Sequence, residues 1–360
     1  MLRKCLDCID PYCPGKPIDE VKRELGLDEV YKLASNENPL GPPESAVEAM
    51  RTAAGKVSLY PDANAYDLRM ALAKKHGVAP GEIVFGDGSN ELLKLLSLIF
   101  LNPGDEIVIP QPSFGEYVRT ATLCGAKAKA IPLNEHYAVD LPSMVAAIGS
   151  KTKIVYICNP NNPTGTVVDK KLLKQMMHRM GDLIVVLDEA YFEFVQDENS
   201  PDGIAFFKEF PNVVALRTFS KAYGLAGLRV GYGICHADIA CALNKAREPF
   251  NVNSMAQVAA LAALNDQEYL KKSVKYNTIE REFLYTELKK RGFQVVPSEA
   301  NFLLVDVVRD AGEVFCGLLK KGIIVRSAEI FDYPTKIRVS VGLHKENEAF
   351  LQALQEFMDL

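Results

Sequence analysis

The segment 218–229 carries a single lysine among hydroxyl groups, glycines and an arginine, directly after an apolar run that predicts a short buried strand. A lysine at the end of such a strand loses solvation, and a desolvated amine is a nucleophile that can form a Schiff base. The hydroxyls of Thr218 and Ser220 and the guanidinium of Arg229 are suitable partners for a phosphate. A nucleophilic Lys221 beside phosphate-binding groups predicts a pyridoxal phosphate site.

Two earlier apolar runs also end in polar residues. Residues 154–158 are followed by Asn162, and residues 183–187 are followed by Asp188 and Tyr191. In open α/β sheets, ligands bind just outside the carboxyl ends of the strands, where all these groups would meet. A carboxylate at Asp188 would keep a pyridine nitrogen protonated, which strengthens the ring as an electron sink. Asn162 and Tyr191 would both donate hydrogen bonds to a phenolic oxygen and spread its charge.

A glycine-rich segment offers a second set of contacts for a phosphate. Gly88 and Ser89 precede an apolar stretch, 92–100, that predicts a helix. The first N–H groups of a helix and its positive end favour an anion. We therefore expect Gly88 and Ser89 to contact the cofactor phosphate.

Three motifs, in this order, resemble the aspartate-aminotransferase-like superfamily of pyridoxal phosphate enzymes. They are Asn-Pro-Thr-Gly at 162–165, Asp-Glu-Ala-Tyr at 188–191 and Ser-Lys-Ala-Tyr-Gly-Leu-Ala-Gly-Leu-Arg at 220–229. Within the superfamily the chain most resembles the histidinol-phosphate aminotransferases. That narrower resemblance rests on Pro-Tyr-Cys-Pro-Gly-Lys-Pro at 11–17, Leu-Ala-Ser-Asn-Glu-Asn-Pro-Leu-Gly at 33–41 and Gly-Ile-Ile-Val-Arg at 322–326.

The resemblance implies an activity and a set of roles. The reaction would interconvert L-histidinol phosphate and imidazole-acetol phosphate, with 2-oxoglutarate and L-glutamate as the other pair. The catalytic residues would be Lys221, Asp188 and Tyr191. The cofactor would contact Gly88, Ser89, Phe114, Asn162, Asp188, Tyr191, Thr218, Ser220, Lys221, Arg229 and, from the other subunit of a homodimer, Tyr60. Phe114 would stack on the cofactor ring, and Tyr12 would close over the substrate phosphate.

Two arginines in or beside short apolar strands, Arg326 and Arg338, are candidates for substrate specificity. An unpaired guanidinium is costly in such surroundings. One interpretation is a pair of structural salt bridges. The other is an anion clamp for the carboxylate of the amino donor and the phosphate of the other substrate. With Tyr12 and Asn162, these arginines form the predicted substrate-binding set.

The order of predicted elements indicates an α/β fold. Up to about residue 250, strands and helices alternate, which is typical of a mostly parallel sheet covered by helices on both faces. After that, helices and short strands predict a smaller α+β domain. We expect an aspartate-aminotransferase-like arrangement: an N-terminal arm at 1–40 that joins the small domain, a large cofactor domain at 41–250 and a small domain at 251–360.

Composition excludes several other classes of protein. The formal net charge of −5 argues against a nucleic-acid surface. No apolar run approaches the roughly 18 residues of a membrane span, and no signal-peptide core follows the basic start, so we expect a cytoplasmic enzyme. Cys5 and Cys8 have C-x-x-C spacing with Cys13 nearby, but no second ligand pair completes a zinc site. We expect no metal.

Three alternatives remain at this stage. A lyase resembling threonine-phosphate decarboxylase would share the fold and the phosphate recognition but release CO₂. A broad aromatic aminotransferase would share the chemistry without the phosphate preference. A non-catalytic sensor module of a transcription regulator is disfavoured, because no basic DNA-binding extension precedes the motifs.

Overall fold

The computed structural model describes residues 2–11 and 15–359. The strands in these ranges are β1 (Tyr31–Lys32), β2 (Ile83–Gly86), β3 (Glu106–Gln111), β4 (Lys127–Pro132), β5 (Thr152–Cys158), β6 (Ile184–Asp188), β7 (Val213–Thr218), β8 (Gly231–Ile234), β9 (Gln294–Val296), β10 (Phe302–Asp306), β11 (Ile323–Ile324), β12 (Arg326–Ser327) and β13 (Lys336–Ser340). The α-helices are α1 (Ile18–Leu25), α2 (Glu44–Ala53), α3 (Tyr66–His76), α4 (Ser89–Phe100), α5 (Glu116–Leu123), α6 (Leu141–Ala146), α7 (Lys170–Met180), α8 (Gly203–Glu209), α9 (Ala237–Ala246), α10 (Ser254–Asn265), α11 (Gln267–Lys290), α12 (Ala311–Lys320) and α13 (His344–Met358).

The largest sheet has the strand order β2-β8-β7-β6-β5-β3-β4. Strands β7, β6, β5, β3 and β4 are parallel, whereas β8 runs antiparallel to both β7 and β2. The sheet is thus mostly parallel, as predicted. Its central strands β5, β6 and β7 are neighbours, so the polar residues that follow them share one edge.

Helices cover both faces of this sheet. Alternate residues of β6 belong to different clusters: Val185 and Leu187 pack with residues of α3, α6, α7, α8 and α10, whereas Val186 packs with residues of α4, α5 and α9. Because successive side chains of a strand point to opposite faces, continuous apolar runs are buried on both sides. That burial explains why these strands read as uninterrupted apolar segments in the sequence.

A second, antiparallel sheet has the order β12-β13-β10-β9 and packs with α11, α12 and α13. The N-terminal strand β1 pairs in parallel with β11, and the carbonyl of Leu33 accepts a hydrogen bond from the backbone N–H of Ser340 at 2.8 Å. The segment before residue 40 therefore contacts the C-terminal part of the chain. The domain boundaries at 40/41 and 250/251 stay a prediction.

The predicted elements recur with small differences in their ends. The apolar helix expected at 92–100 begins earlier, at Ser89, because Gly88 is its N-cap and the polar residues after it form its first turn.

Among the described helices, none combines the length and the apolar character that a membrane span needs.

Candidate active site

A cavity of about 820 Å³ lies at the carboxyl ends of the central strands. Strand pairing places Cys158 of β5 beside Asp188 of β6, and Asp188 beside Leu216 of β7, so the three predicted polar segments converge there. The predicted site residues that line the cavity are Ser89, Phe114, Asn162, Asp188, Tyr191, Thr218, Ser220, Lys221, Arg229, Arg326 and Arg338.

Lys221 lies three residues after the end of β7 and is half-buried. Its Nζ donates a hydrogen bond to the carbonyl of Ser35 at 3.0 Å. Burial, and secondly the charge of Arg338, lowers the pKa of Lys221 to about 7. Near neutral pH, a large fraction of this side chain is therefore the neutral amine, which is the nucleophilic form.

Asp188 ends β6 and is 3 % exposed. The hydroxyl of Tyr117, from α5, donates a hydrogen bond to its Oδ2 at 2.7 Å. Its Oδ1 is buried and meets no donor with hydrogen-bond distance and angle among the described residues. Burial raises the pKa of Asp188 to about 6, against the lowering effect of Tyr117 and of the backbone N–H of Ala190. This carboxyl is suited to a cationic N–H donor placed at Oδ1, which would favour its ionised form.

The hydroxyl of Tyr191 lies among amide groups. It accepts a hydrogen bond from Nδ2 of Asn36 at 3.0 Å and a longer one from Nδ2 of Asn162 at 3.5 Å. Burial raises the pKa of Tyr191 to about 12, so the phenol is protonated at neutral pH. The predicted Asn162 and Tyr191 are therefore in contact, and Asn36 is a third member that the sequence analysis did not select.

One end of the cavity is built for an anion. Gly88 is the N-cap of α4, and as a glycine it has no side chain to cap the first N–H groups of that helix. Thr218 Oγ1 donates to Ser220 Oγ at 3.0 Å, and Arg229 Nη1 approaches the same oxygen at 3.4 Å. The helix end, the hydroxyls and the guanidinium together form a cradle whose donors suit a phosphate.

The glycine that makes this cradle possible is Gly88. It has a φ of +70°, and a Cβ there would lie 2.3 Å from Nη2 of Arg229. The sequence predicts phosphate contacts from both Gly88 and Ser89, and the positive φ and the close approach of Arg229 add the reason for a glycine at position 88. Gly224, in the lysine segment, serves another purpose, because a Cβ there would lie 2.2 Å from the carbonyl oxygen of Gly41, which directly follows the N-terminal arm.

Two arginines of the smaller sheet line the cavity. Arg326 on β12 is the cross-strand partner of Arg338 on β13. Arg338 is 7 % exposed and donates from Nη1 to Asn162 Oδ1 and from Nη2 to the carbonyl of Ala34, both at 2.6 Å. Like charges directly opposite each other on a sheet destabilise it, so an anion between them would be stabilising.

Two predicted residues, Tyr60 and Gly88, do not line the cavity. Tyr60 is 83 % exposed, stacks on Phe250 with ring centroids 4.7 Å apart and does not line the cavity of its own chain. Gly88 does not line the cavity itself, but it leaves room for the guanidinium of Arg229 in the cradle. Tyr12 lies outside the described residues, as does Cys13. Phe114 lines the cavity, and its ring packs edge-to-face with that of Tyr117, with ring centroids 5.8 Å apart.

The comparisons with known proteins agree with this geometry. Residues 28–354 match the family described as Aminotransferase class I and II. A histidinol-phosphate aminotransferase of Moorella thermoacetica is 48% identical over 358 residues, which cover 99% of this chain and 92% of that protein. This chain belongs to the class I and II aminotransferases, in their histidinol-phosphate aminotransferase branch.

Solved structures of other aminotransferases share the fold. The histidinol-phosphate aminotransferase of Sinorhizobium meliloti, in complex with pyridoxal-5'-phosphate, superposes with a TM-score of 0.90 at 28% identity, covering 99% of this chain and 97% of that one. The aspartate aminotransferase of Thermotoga maritima, at 24% identity, shows the same fold with a TM-score of 0.87 over 100% of both chains. The expected aspartate-aminotransferase-like fold is confirmed.

Two residues of this aminotransferase site were missed by sequence reasoning. Tyr117 follows Phe114 by three residues, yet nothing in the sequence shows that its hydroxyl donates to Asp188 from α5. Asn36 lies in the Ser-Asn-Glu-Asn-Pro motif, and its selection would have required knowledge of a contact across 155 positions. Among the residues that the structure describes, no group of three or more His, Cys, Asp or Glu side chains could hold a metal ion.

Proposed function

We propose that this enzyme is a pyridoxal-phosphate-dependent histidinol-phosphate aminotransferase that exchanges the amino group between L-histidinol phosphate and 2-oxoglutarate. The observation that carries the proposal is one cavity that holds a lysine with a pKa of about 7, a buried carboxyl whose Oδ1 has no donor among the described residues and a cross-strand pair of arginines. Lysine and carboxyl suit the cofactor, and the arginines suit an anionic substrate.

The residues present fit pyridoxal phosphate at both of its ends. Oδ1 of Asp188 would accept the N–H of the pyridine ring, which gives that buried oxygen a partner. The cofactor phosphate would bind to the α4 N-terminus, Thr218, Ser220 and Arg229, where Gly88 leaves room for the guanidinium. Phe114 would lie against the ring, and Asn162 and Tyr191 would donate to its phenolic oxygen.

When bound, the cofactor supplies an electron sink that stabilises negative charge at the carbon bearing the amino group. Lys221 then acts as general base and general acid, because its Nζ has a pKa of about 7 and can both take and return a proton near neutral pH. Asp188 stays ionised once its Oδ1 meets a cationic N–H, and Tyr117 fixes its orientation through Oδ2.

Arg326 and Arg338 would bind the anionic end of each substrate in turn. A phosphate monoester carries nearly two negative charges near neutral pH, which two guanidinium groups match better than one does. Glutamate would present a carboxylate to the same pair. Arg338 also donates a hydrogen bond to Oδ1 of Asn162. A residue proposed to bind substrate is therefore directly hydrogen-bonded to one proposed to bind the cofactor.

The active unit that we propose is a homodimer in the cytoplasm. Tyr60 is exposed and remote from the cavity of its own chain, which suits contact with the cofactor phosphate of a second subunit. Tyr12 would close over the substrate phosphate.

The test is the product formed from L-histidinol phosphate and 2-oxoglutarate. Glutamate should accumulate in equal amount to the substrate consumed. The same enzyme should release no CO₂ from threonine phosphate. CO₂ release without glutamate formation would favour the lyase and overturn the proposal, and equal rates with aromatic amino acids would favour the broad aminotransferase.

A further inference from the structure

The hydroxyl of Tyr191 is surrounded by two amides whose orientations are set by their other contacts. The Oδ1 of Asn162 accepts from Nη1 of Arg338 at 2.6 Å, and a guanidinium can only donate. The Nδ2 of Asn162 must therefore face Tyr191, at 3.5 Å.

The second amide, that of Asn36, is oriented by Ser340 of β13. The backbone N–H of Asn36 donates to Ser340 Oγ at 2.9 Å, and that hydroxyl in turn donates to Oδ1 of Asn36 at 3.0 Å. The amide nitrogen Nδ2 is left to face Tyr191 at 3.0 Å, the shorter of the two contacts.

A phenol has one hydrogen and accepts through its oxygen lone pairs. With two N–H donors on that oxygen, the hydrogen of Tyr191 has to point away from both amides. Tyr191 lines the cavity, so its phenolic hydrogen is available to an acceptor bound there.

The backbone of Asn36 is itself fixed. It has a φ of +54°, in the left-handed region that asparagine tolerates better than most residues, and it is 1 % exposed. Its carbonyl accepts from Nδ2 of Asn301 at 3.0 Å, and the preceding carbonyl, that of Ser35, accepts from Nζ of Lys221. Asn36 therefore has little freedom to turn its amide.

We propose that Asn36 is a positioning residue that fixes Tyr191 as a hydrogen-bond donor to the phenolic oxygen of the cofactor. This inference rests on the proposed contact between Tyr191 and the cofactor. It adds a residue of the N-terminal arm that acts through Tyr191, and it links the strand that carries Arg338 to the cofactor by way of Ser340.

The test is a pH titration of the visible absorbance of the bound cofactor, without substrate. A donor at the phenolic oxygen stabilises its anion and lowers the pKa at which the absorbance changes. Tyr191→Phe should raise that pKa. Asn36→Gly, which keeps the left-handed backbone and removes the amide, should raise it by about 0.3–1 pH unit. In the Tyr191→Phe background, Asn36→Gly should add nothing, because both changes remove the same donor.

Two further variants keep the test decisive. Asn38→Gly removes an amide of the same arm that contacts Ala222 and Ser273 instead, and it should leave the pKa unchanged. Ser340→Ala releases Oδ1 of Asn36 with a small change of volume, and it should shift the pKa in the same direction as Asn36→Gly, even if the glycine variant fails to bind cofactor.

Three results would overturn the inference. The first is an unchanged pKa in both Asn36→Gly and Ser340→Ala. The second is a pKa shift from Asn36→Gly that is as large in the Tyr191→Phe background as in the wild type. The third is an unchanged pKa in Tyr191→Phe, which would remove the cofactor contact as well. Since no substrate is present, a failure of the enzyme to use histidinol phosphate would leave the titration unaffected and would count only against the proposed function.

Discussion

Asp188 and Tyr191 line the same cavity, but only the contact proposed for Tyr191 would also be made by a second residue. Of these two residues, Asp188 offers a buried acceptor that suits a ring N–H, whereas Tyr191 would act at an oxygen that Asn162 would also contact. We expect Asp188→Ala to lower kcat/KM on the order of 10³-fold or more, because it removes charge stabilisation. Tyr191→Phe should cost only about tenfold, the equivalent of one hydrogen bond. Similar, small losses in steady-state kinetics would contradict the placement of Asp188 at the ring nitrogen.

The lowered pKa of Lys221 predicts a cost to the stability of the cofactor-free protein. The unfolded chain keeps this proton up to a pH near 10.5, whereas the folded chain releases it near pH 7. The unfolded state therefore binds more protons between these values, and this residue makes stability rise with pH there.

The substitution Lys221→Met keeps much of the length of the side chain and removes its positive charge. It should raise the free energy of unfolding of the cofactor-free protein by ~1–3 kcal/mol at pH 7, after a discount for residual solvent around the amine. The gain should shrink towards zero near pH 10. Urea denaturation at several pH values measures it, and a gain that does not vary with pH would mean that desolvation of the ammonium is not its cause.

The junction of β2 and α4 shapes the cradle that we propose for the cofactor phosphate. Gly88→Ala would place a Cβ against the guanidinium of Arg229, so we expect at least a tenfold weaker affinity for pyridoxal phosphate. Gly104→Ala is a matched control, since Gly104 has a φ of +92° and open space around a Cβ. Both variants carry the backbone strain, and only the first should weaken binding. Equal affinities in a fluorescence titration of the cofactor-free enzymes would contradict the role of Gly88.

At the level of elements, the sequence predicted the strands and helices, because these depend on the local pattern of apolar residues. Uninterrupted apolar runs indicated β5, β6 and β7, and the polar residues that follow them do share one cavity. The hydrogen bonds that orient these residues were not predictable, because Tyr117 and Asn36 reach the site from α5 and from the N-terminal arm. Their partners are distant in sequence, and no periodicity records such a pairing.

The proposed homodimer is a property of the whole molecule. If Tyr60 acts in the site of the other subunit, neither Lys221→Ala nor Tyr60→Ala subunits have a complete site on their own. Reassembly of equal amounts should restore about a quarter of wild-type activity, since half of the dimers would contain one complete site. Absence of recovery after verified subunit exchange would show that Tyr60 does not act across the interface.

The central claim is that the cavity selects a phosphate monoester through paired arginines. The direct measurement is kcat/KM for histidinol phosphate, histidinol and glutamate in the wild type, Arg326→Ala and Arg338→Ala. We expect the wild type to prefer histidinol phosphate over histidinol by about 10²-fold or more, because histidinol lacks the phosphate and therefore its contacts with the two guanidinium groups. Each variant should lose ~2–5 kcal/mol of transition-state stabilisation with histidinol phosphate, and Arg338→Ala should also impair glutamate. Equal use of histidinol and its phosphate by the wild-type enzyme would contradict the claim.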